Sequence, residues 1–342
     1  MSLKERFENY PNLKEVFWPG ANGIRYTSDN PHPLTSLVLG EGSRTKDVAI
    51  RSDKCVQLVK SANEQWLKEK VKIILEDEDR SNVSAFLGEI RAYGELIWVW
   101  GTDIIKAGKS GNDFSLVANG KTIKIEVNTP QHRTKRHTLD HESFGTDRIK
   151  GKVFEIFPFG WPEREIDNVQ GEAVSKLAAI KQKEHQFDKD AINILWIDLK
   201  DPTLWVLDFG TEQFLPLNAF REAITSGAFW NAFYAKKGTY IFDQLSMHGL
   251  ASRIYKIEYN GRFWGNSLID FVIADTRTDQ IIFQNHSRDI SIPNELYQSL
   301  HRLFVFNLEL SWLDWPQKGQ LATRVKLELD RIQVYKGAFD RD

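Results

Sequence analysis

The feature that most constrains the fold is the dipeptide Asn119-Gly120, which lies between two runs of alternating apolar and polar residues. Asn-Gly in this setting is the strongest short-range signal for a β-hairpin with a two-residue turn. Counting outward from that turn places Asp113 directly opposite Glu126 on the polar face of the hairpin. The opposite face is apolar, because side chains alternate along each strand. It consists of Phe114, Leu116, Ile123 and Ile125.

The two facing carboxylates have two interpretations. Like charges directly opposite each other destabilise a sheet, by about 0.2–1 kcal/mol. A hairpin tolerates this cost if both acids are solvated at the surface, or if a divalent cation lies between them. Mg²⁺ is typically held by one or two carboxylates together with water and phosphate oxygens. The hairpin alone leaves the two interpretations open.

The segment before the hairpin has the periodicity of a helix, predicted over 82–98. Its apolar stripe consists of Phe86, Ile90, Tyr93 and Ile97. Glu89 follows Phe86 by three residues and precedes Tyr93 by four, so it lies on this stripe. A buried carboxylate is costly unless it is paired or bound to a metal. Glu95 follows Arg91 by four residues, and we expect an ordinary surface ion pair between them.

A second helical pattern, at 171–187, leads into an apolar strand at 193–197. Lys183 lies three residues after an isoleucine and four before a phenylalanine, and therefore on the apolar side of this helix. Gln186 is one turn further along the same side. A lysine can bury its aliphatic stem and extend its amine to water, so both a structural and a functional role stay open for these residues.

These pieces, in this order, resemble the PD-(D/E)XK superfamily of restriction-endonuclease-like nucleases. A glutamate on a helix comes first, then an aspartate and a glutamate on neighbouring strands, then Lys-x-x-Gln on a helix. The matching residues are Glu89, Asp113, Glu126, Lys183 and Gln186, within residues 82–200. The resemblance implies a mixed β-sheet flanked by helices and a metal-dependent cleavage of phosphodiester bonds.

One position departs from the family pattern. The family's lysine corresponds to Asn128, two residues after Glu126 on the same face. By resemblance, that lysine orients or activates the attacking water and offsets charge on the phosphate. Asn can neither carry a positive charge nor accept a proton at neutral pH. Either Lys124 or Lys183 replaces it, or the site has lost its chemistry.

The resemblance also implies a division of the chain. We expect an α/β core of the restriction-endonuclease-like type at 81–250, preceded by an N-terminal arm and helix at 1–80. A C-terminal β-hairpin and helix extension follows at 251–342. Residues 1–50 are rich in Pro, Gly, Asn and Ser, and we expect an irregular arm there.

The function implied is a Mg²⁺-dependent endonuclease, of restriction or defence type, that acts on DNA and accepts Mn²⁺ in place of Mg²⁺. Asp113 and Glu126 would hold the metal, and Glu89 would hold a second metal or order the water. A basic loop after the hairpin would contact phosphates. Its candidate residues are Arg133, Lys135, Arg136 and Lys150.

Composition favours an ordinary globular protein, with 41% hydrophobic and 27% charged residues. Cys55 is the only cysteine, which excludes an internal disulfide and a cysteine-based zinc cluster. The N-terminal sequence is charged and no apolar run reaches the ~20 residues of a membrane span, so we expect a cytoplasmic protein with no membrane partner. The oligomeric state is open, a homodimer included.

Two other functions stay open. One is a catalytically inactive nuclease-fold protein that binds nucleic acid or a protein partner, favoured by Asn128. The other is a protein-interaction domain without nucleic acid, favoured by the net charge of −2, which provides no global cationic field.

Overall fold

The structure is a computed structural model, and it describes most of the N-terminal half and selected parts of the rest. The described residues are 3–21, 32–39, 43–77, 79–108, 111–129, 137–140, 152–155, 186–200, 218–220, 223–225, 233, 240–242, 254–256, 261–263, 267–275, 280–285, 288 and 290–300.

The chain divides into two compact units, and neither unit is a continuous segment. The first consists of residues 1–130, 181–202 and 263–327, and the second of residues 131–180, 203–262 and 328–342. The sequence-based boundaries at 80 and 250 differ from this division, because the N-terminal helices and the later strands pack into the same unit as the hairpin.

The segment expected to be an irregular arm is helical where it is described, so that prediction is wrong. It forms α1 (Leu3–Phe7), α2 (Pro11–Ala21) and α3 (Pro33–Leu39). Each helix is short, but each buries apolar side chains in the core of the first unit. These are Phe7, Leu13, Phe17, Leu34 and Leu37. Proline at the first position of a helix is favourable, because its missing N–H would have no intrahelical partner there.

Two long helices follow, and the second contains the segment 82–98 predicted from periodicity. They are α4 (Ser43–Glu76) and α5 (Arg80–Trp100). Asn63 interrupts α4 with a non-helical backbone (φ −154°, ψ 71°). At the start of α5, the carboxylate of Asp79 accepts the N–H of Ser81 at 2.7 Å. This is the cap expected of aspartate at a helix N-terminus.

The two long helices pack at close range around Gly94. A Cβ atom added there would lie 2.4 Å from the Cβ of Cys55 and 2.5 Å from its Cα. Closer to the hairpin, the ring of Tyr93 stacks on Phe114 with centroids 4.9 Å apart, and the ring of Trp66 meets Tyr93 edge-on at 5.1 Å. Helix α5 is thereby fixed against both α4 and the apolar face of the hairpin.

Twelve strands lie in the described part of the chain. They are β1 (Lys106–Ala107), β2 (Phe114–Ala118), β3 (Lys121–Asn128), β4 (His137–Asp140), β5 (Lys152–Glu155), β6 (Ile192–Asp198), β7 (Asn218–Phe220), β8 (Ala223–Thr225), β9 (Tyr240–Phe242), β10 (Ile254–Lys256), β11 (Phe271–Asp275) and β12 (Gln280–Gln284).

The first unit contains a six-stranded mixed sheet in the order β1-β2-β3-β6-β11-β12. The neighbouring strands β3, β6 and β11 are parallel, and the remaining neighbours are antiparallel. Because α5 packs on this sheet, the unit has the mixed α/β architecture expected. The second unit contains the antiparallel pairs β4-β5, β7-β8 and β9-β10.

The hairpin has the predicted register. Phe114 pairs with Ile125 and Ala118 pairs with Lys121. Asn119 (φ 50°) and Gly120 (φ 71°) form the turn with positive φ angles, the conformation for which Asn-Gly is favoured. The apolar face is buried, with Phe114 and Ile125 fully inaccessible.

Other predicted elements have mixed outcomes. Strands β11 and β12 form a hairpin in the C-terminal segment 251–342, where a β-hairpin was expected. Helix α6 (Asn294–Leu300) follows in the same segment, where a helix was also expected. Most of the helix predicted at 171–187 lies outside the described residues.

Candidate functional site

The predicted acid pair lies at the open end of the hairpin, where β2 begins and β3 approaches its end. Asp113 directly precedes β2, and its Oδ2 accepts the N–H of Val127 at 2.8 Å. Val127 follows Glu126 on β3, so this bond holds the Asp113 carboxylate beside Glu126. The side-chain amide of Gln186 donates to Oε1 of Glu126. Three residues predicted from separate motifs are thus brought together.

Glu89 lies on α5 with 16% of its side chain exposed, and it forms an ion pair with Lys70 of α4. Burial raises the pKa of the Glu89 carboxyl above its usual range. The Lys70 ammonium acts in the opposite direction, and the negative charge of Asp113 raises the pKa further. Glu89 and Asp113 are therefore close enough for their charges to interact.

Lys70 is a residue of this site that was not predicted from the sequence. Its amine contacts Glu89 and lies 4.5 Å from the ring centroid of Phe86 and 5.4 Å from that of Trp66. Such a position over aromatic rings favours a cation. The sequence contains a signal for it, because Lys70 has helical spacing from the buried residue Leu67.

Lys124, one of the two proposed replacements for the family's lysine, has a different partner. Its amine lies 3.3 Å from Oδ2 of Asp188. The pKa of Asp188 is lowered first by the backbone N–H of Asp190 and then by Lys124. Asn128, at the end of β3, is partly exposed and by strand alternation shares a face with Lys124 and Glu126.

Several predicted residues lie outside the described part of the chain. Their positions are therefore still predictions from sequence. They are Lys183, Arg133, Lys135, Arg136 and Lys150.

The acids differ in how well they suit a metal ion. Among the described residues, no group of three or more His, Cys, Asp or Glu side chains is placed to hold a metal. Asp113, bonded to the backbone of Val127, and Glu126 on β3 match the one or two carboxylates that Mg²⁺ usually takes from protein. A carboxylate can accept a hydrogen bond and coordinate a cation at the same time. Glu89 is in contact with Lys70, and its charge interacts with that of Asp113.

A buried ionic cluster in the same unit overturns one expectation. Glu95 is only 1% exposed and pairs with Arg51 of α4 at 2.8 Å. Arg91, expected to be its surface partner, is also buried and donates to Oδ2 of Asp198 at 2.6 and 2.9 Å. The predicted surface pair is wrong, because both side chains point into the protein and find partners on other elements.

The cluster continues at the carboxyl ends of the parallel strands β6 and β11, where Asp275 is fully buried. Asp275 accepts hydrogen bonds from the Lys200 amine, from Nε1 of Trp196 at 3.2 Å and from Nε2 of Gln280 at 3.0 Å. Burial, reinforced by repulsion from Arg51, lowers the pKa of Lys200 to about 7. The cluster balances three cations against three anions. These are Arg51, Arg91, Lys200, Glu95, Asp198 and Asp275.

Comparisons with known proteins found no relative of this chain. No protein-family model matches the chain. No curated protein and no solved structure is significantly similar to it. Within the described residues, no helix has the length and apolar character required to cross a membrane.

Proposed function

We propose that this protein is a Mg²⁺-dependent endonuclease that hydrolyses DNA phosphodiester bonds, with Mn²⁺ able to replace Mg²⁺. The observation that carries the proposal is the hydrogen bond from the Val127 N–H to Asp113, which holds this carboxylate next to Glu126 on β3. The Gln186 amide contacts Glu126, and the charge of Glu89 interacts with that of Asp113. A mixed sheet with α5 before the hairpin is compatible with the restriction-endonuclease-like core that the motifs resemble. A cytoplasmic location and a homodimer stay part of the prediction.

Asp113 and Glu126 would hold the metal. When bound, a divalent cation polarises the phosphate and lowers the pKa of a coordinated water. The Val127 N–H fixes the Asp113 carboxylate, and the Gln186 amide fixes that of Glu126. In the reaction, a bond forms between the water oxygen and phosphorus, and the bond from phosphorus to the sugar oxygen breaks. One water proton ends on the leaving sugar oxygen, and the hydroxyl stays on the phosphate.

Two observations favour a second candidate function, a nuclease-fold protein without catalytic activity that binds nucleic acid or a protein partner. Asn128 cannot supply the charge that the family's lysine provides. Lys124, on the same face, is engaged by Asp188. This candidate keeps the nucleic-acid surface and loses the cleavage step.

Cleavage of supercoiled plasmid DNA tests the proposal. Asp113→Asn and Glu126→Gln remove the negative charges but keep the shapes and acceptor atoms, so folding should be preserved. Each should lower the Mg²⁺-dependent rate by at least ~10²-fold, the order observed when one charge-stabilising group is removed from an active site. The exposed Asp103→Asn is the matched control and should cleave like the parent.

The outcomes are distinct. Cleavage by the parent that stops with a chelator and in both variants supports the endonuclease. Equal cleavage by the parent and both variants removes the hairpin acids from the mechanism. A parent that binds DNA without cutting it supports the inactive candidate.

A further inference from the structure

Lys106 lies on β1, the edge strand of the mixed sheet, and its side chain is exposed. It pairs with Ser115 of β2, and Ser115 pairs on its other side with Lys124 of β3. Residues directly opposite each other on antiparallel strands project from the same face of the sheet. Lys106, Ser115 and Lys124 therefore form one row of side chains across the polar face of the hairpin.

Backbone contacts place this row next to Asp113. The N–H of Gly108, two residues after Lys106, donates to the carbonyl oxygen of Asp113, which is two residues before Ser115. This bond continues the antiparallel register in which Lys106 pairs with Ser115. Lys106 and Asp113 are thus diagonal neighbours on adjacent strands, a relation that sets residues ~7–8 Å apart and within reach of long side chains.

The two lysines of the row differ in how freely they can bind a ligand. The Lys124 amine lies 3.3 Å from the Asp188 carboxylate, and 24% of its side chain is exposed. Lys106 has no ion-pair partner among the residues that the structure describes. The positive charge of Lys106 is therefore not neutralised within this part of the protein.

The polar face is bordered on the β3 side and accessible on the β1 side. On β3, the amide of Gln186 contacts Glu126. On β2, Val117 is 66% exposed, and on β1 the side chain of Lys106 is exposed as well. A linear substrate that is cleaved at Asp113 and Glu126 and extends over the accessible side therefore passes the Lys106 amine.

We propose that Lys106 binds a backbone phosphate of the substrate next to the phosphate that is cleaved. This inference rests on the proposed function, which makes the substrate a nucleic-acid strand. A lysine ammonium is a common partner of phosphate oxygens, and contacts of this kind position a nucleic acid without reading its bases. Lys106 is therefore a substrate-binding residue that takes no part in breaking the bond.

The test measures how the affinity for a short fluorescent DNA duplex depends on salt concentration, with a chelator present to prevent metal-dependent cleavage. It compares the parent with Lys106→Gln, with Lys106→Arg and with the control Lys121→Gln. Lys121 belongs to the same hairpin and pairs with Ala118, but it is three residues from Lys124 and so lies on the opposite face of β3. Because Lys106 is exposed, its variants should melt like the parent.

We expect Lys106→Gln to reduce the slope of log affinity against log salt concentration by roughly 0.9, the value for one phosphate contact with duplex DNA. Over a ~4-fold rise in salt concentration, binding by this variant should then weaken about 3.5-fold less than binding by the parent. Lys106→Arg keeps the positive charge and should keep the parent's slope. Lys121→Gln should keep it too, because that lysine is on the other face.

Two results would overturn the inference. A slope for Lys106→Gln equal to that of the parent would leave this lysine as a charge that discourages the edge strand from pairing with other chains. An equal reduction in Lys121→Gln would show a general effect of charge on the hairpin rather than a contact made by Lys106.

Failure of this inference is distinguishable from failure of the proposed function. If the parent cleaves DNA and Lys106→Gln keeps the parent's slope, the inference fails and the nuclease function stands. If the parent binds DNA without cleaving it and the slope falls in Lys106→Gln, the phosphate contact stands and the nuclease function fails. A parent that does not bind DNA contradicts both.

Discussion

Substitution of Asp275 by Asn should destabilise the first unit strongly. Asp275 is fully buried at the end of β11, where it accepts hydrogen bonds from Lys200, Trp196 and Gln280. Lys200 and Trp196 donate to Oδ2, and Arg51 lies 3.5 Å from Oδ1, the oxygen that accepts from Gln280. Asn has the same shape but no charge, and its NH₂ group, itself a donor, would face other hydrogen-bond donors.

The expected loss of stability follows from the buried positive charge that would be left without its partner. Removing one member of a buried ion pair costs ~3–5 kcal/mol, because the remaining charge stays desolvated. Such a loss is a large part of the ~5–15 kcal/mol by which most proteins are stable. At about 2–4 °C per kcal/mol for a domain of 150–250 residues, it lowers the melting temperature by roughly 6–20 °C.

The pH dependence of this loss provides a second check. The pKa of Lys200 is already lowered from 10.5 to about 7 in the folded protein, and without Asp275 it should fall further. Below pH 7 the folded parent holds a proton on Lys200 that the folded variant binds more weakly. The stability of the variant therefore falls relative to that of the parent by about 1.4 kcal/mol for each pH unit below 7 until the variant also binds the proton. Above pH 7 the amine is neutral in both folded proteins, so the loss should be larger at pH 6 than at pH 9.

Thermal unfolding followed by circular dichroism at pH 6, 7 and 9 measures both effects. The control is Glu64→Gln, which removes an exposed ion pair of α4 and should leave the melting temperature unchanged. A melting temperature of Asp275→Asn equal to that of the parent would show that the charges of this cluster are solvated rather than buried. An equal loss at all three pH values would show that Lys200 does not respond to Asp275.

Three further predictions concern the hairpin, the basic loop and the helix packing. Asn128→Lys should leave cleavage unchanged or lower it, because Lys124 or Lys183 would already supply the positive charge; activity gained only in this variant would show that the parent is inactive. Replacing Arg133, Lys135 and Arg136 by Gln should reduce the slope of log DNA affinity against log salt concentration by roughly 0.9 for each phosphate that the protein no longer neutralises. An unchanged slope would show that DNA binds to another part of the protein. Gly94→Ala should lower the melting temperature, since its Cβ would lie 2.4 Å from a side-chain atom of α4, whereas an unaffected melting temperature would mean that the two helices separate easily.

Local patterns predicted the hairpin well because a two-residue turn fixes the pairing of every residue beyond it. Asn119 and Gly120 have the positive φ angles that this turn requires, and the pairing of Phe114 with Ile125 follows directly. Glu89 was found by a related argument, because an acid on an apolar helical stripe requires a partner.

Contacts between elements distant in sequence could not be predicted in this way. Helical spacing made Arg91 the expected partner of Glu95. In the structure, however, Arg91 pairs with Asp198 and Glu95 pairs with Arg51 of α4. Lys70 was missed for the same reason, since its pairing with an acid of α5 depends on how two helices pack.

The N-terminal helices were missed because their composition suggested a loop. Helix α2 contains Pro19 and Gly20 near its end, residues that normally interrupt a helix. Its start is fixed from outside, because Asp53 of α4 accepts the N–H groups of Asn12 and Leu13 at 2.9 and 2.8 Å. A cap supplied by another helix leaves no signal in the local sequence.

The most direct test of the proposed function is the anomalous diffraction of Mn²⁺ in crystals of the parent protein soaked with the metal. We expect an anomalous peak within coordination distance of carboxylate oxygens of both Asp113 and Glu126, and no such peak in Glu126→Gln crystals. The absence of a peak at this end of the hairpin in the parent, or a peak that survives in the variant, would contradict the proposed metal site and the nuclease mechanism built on it.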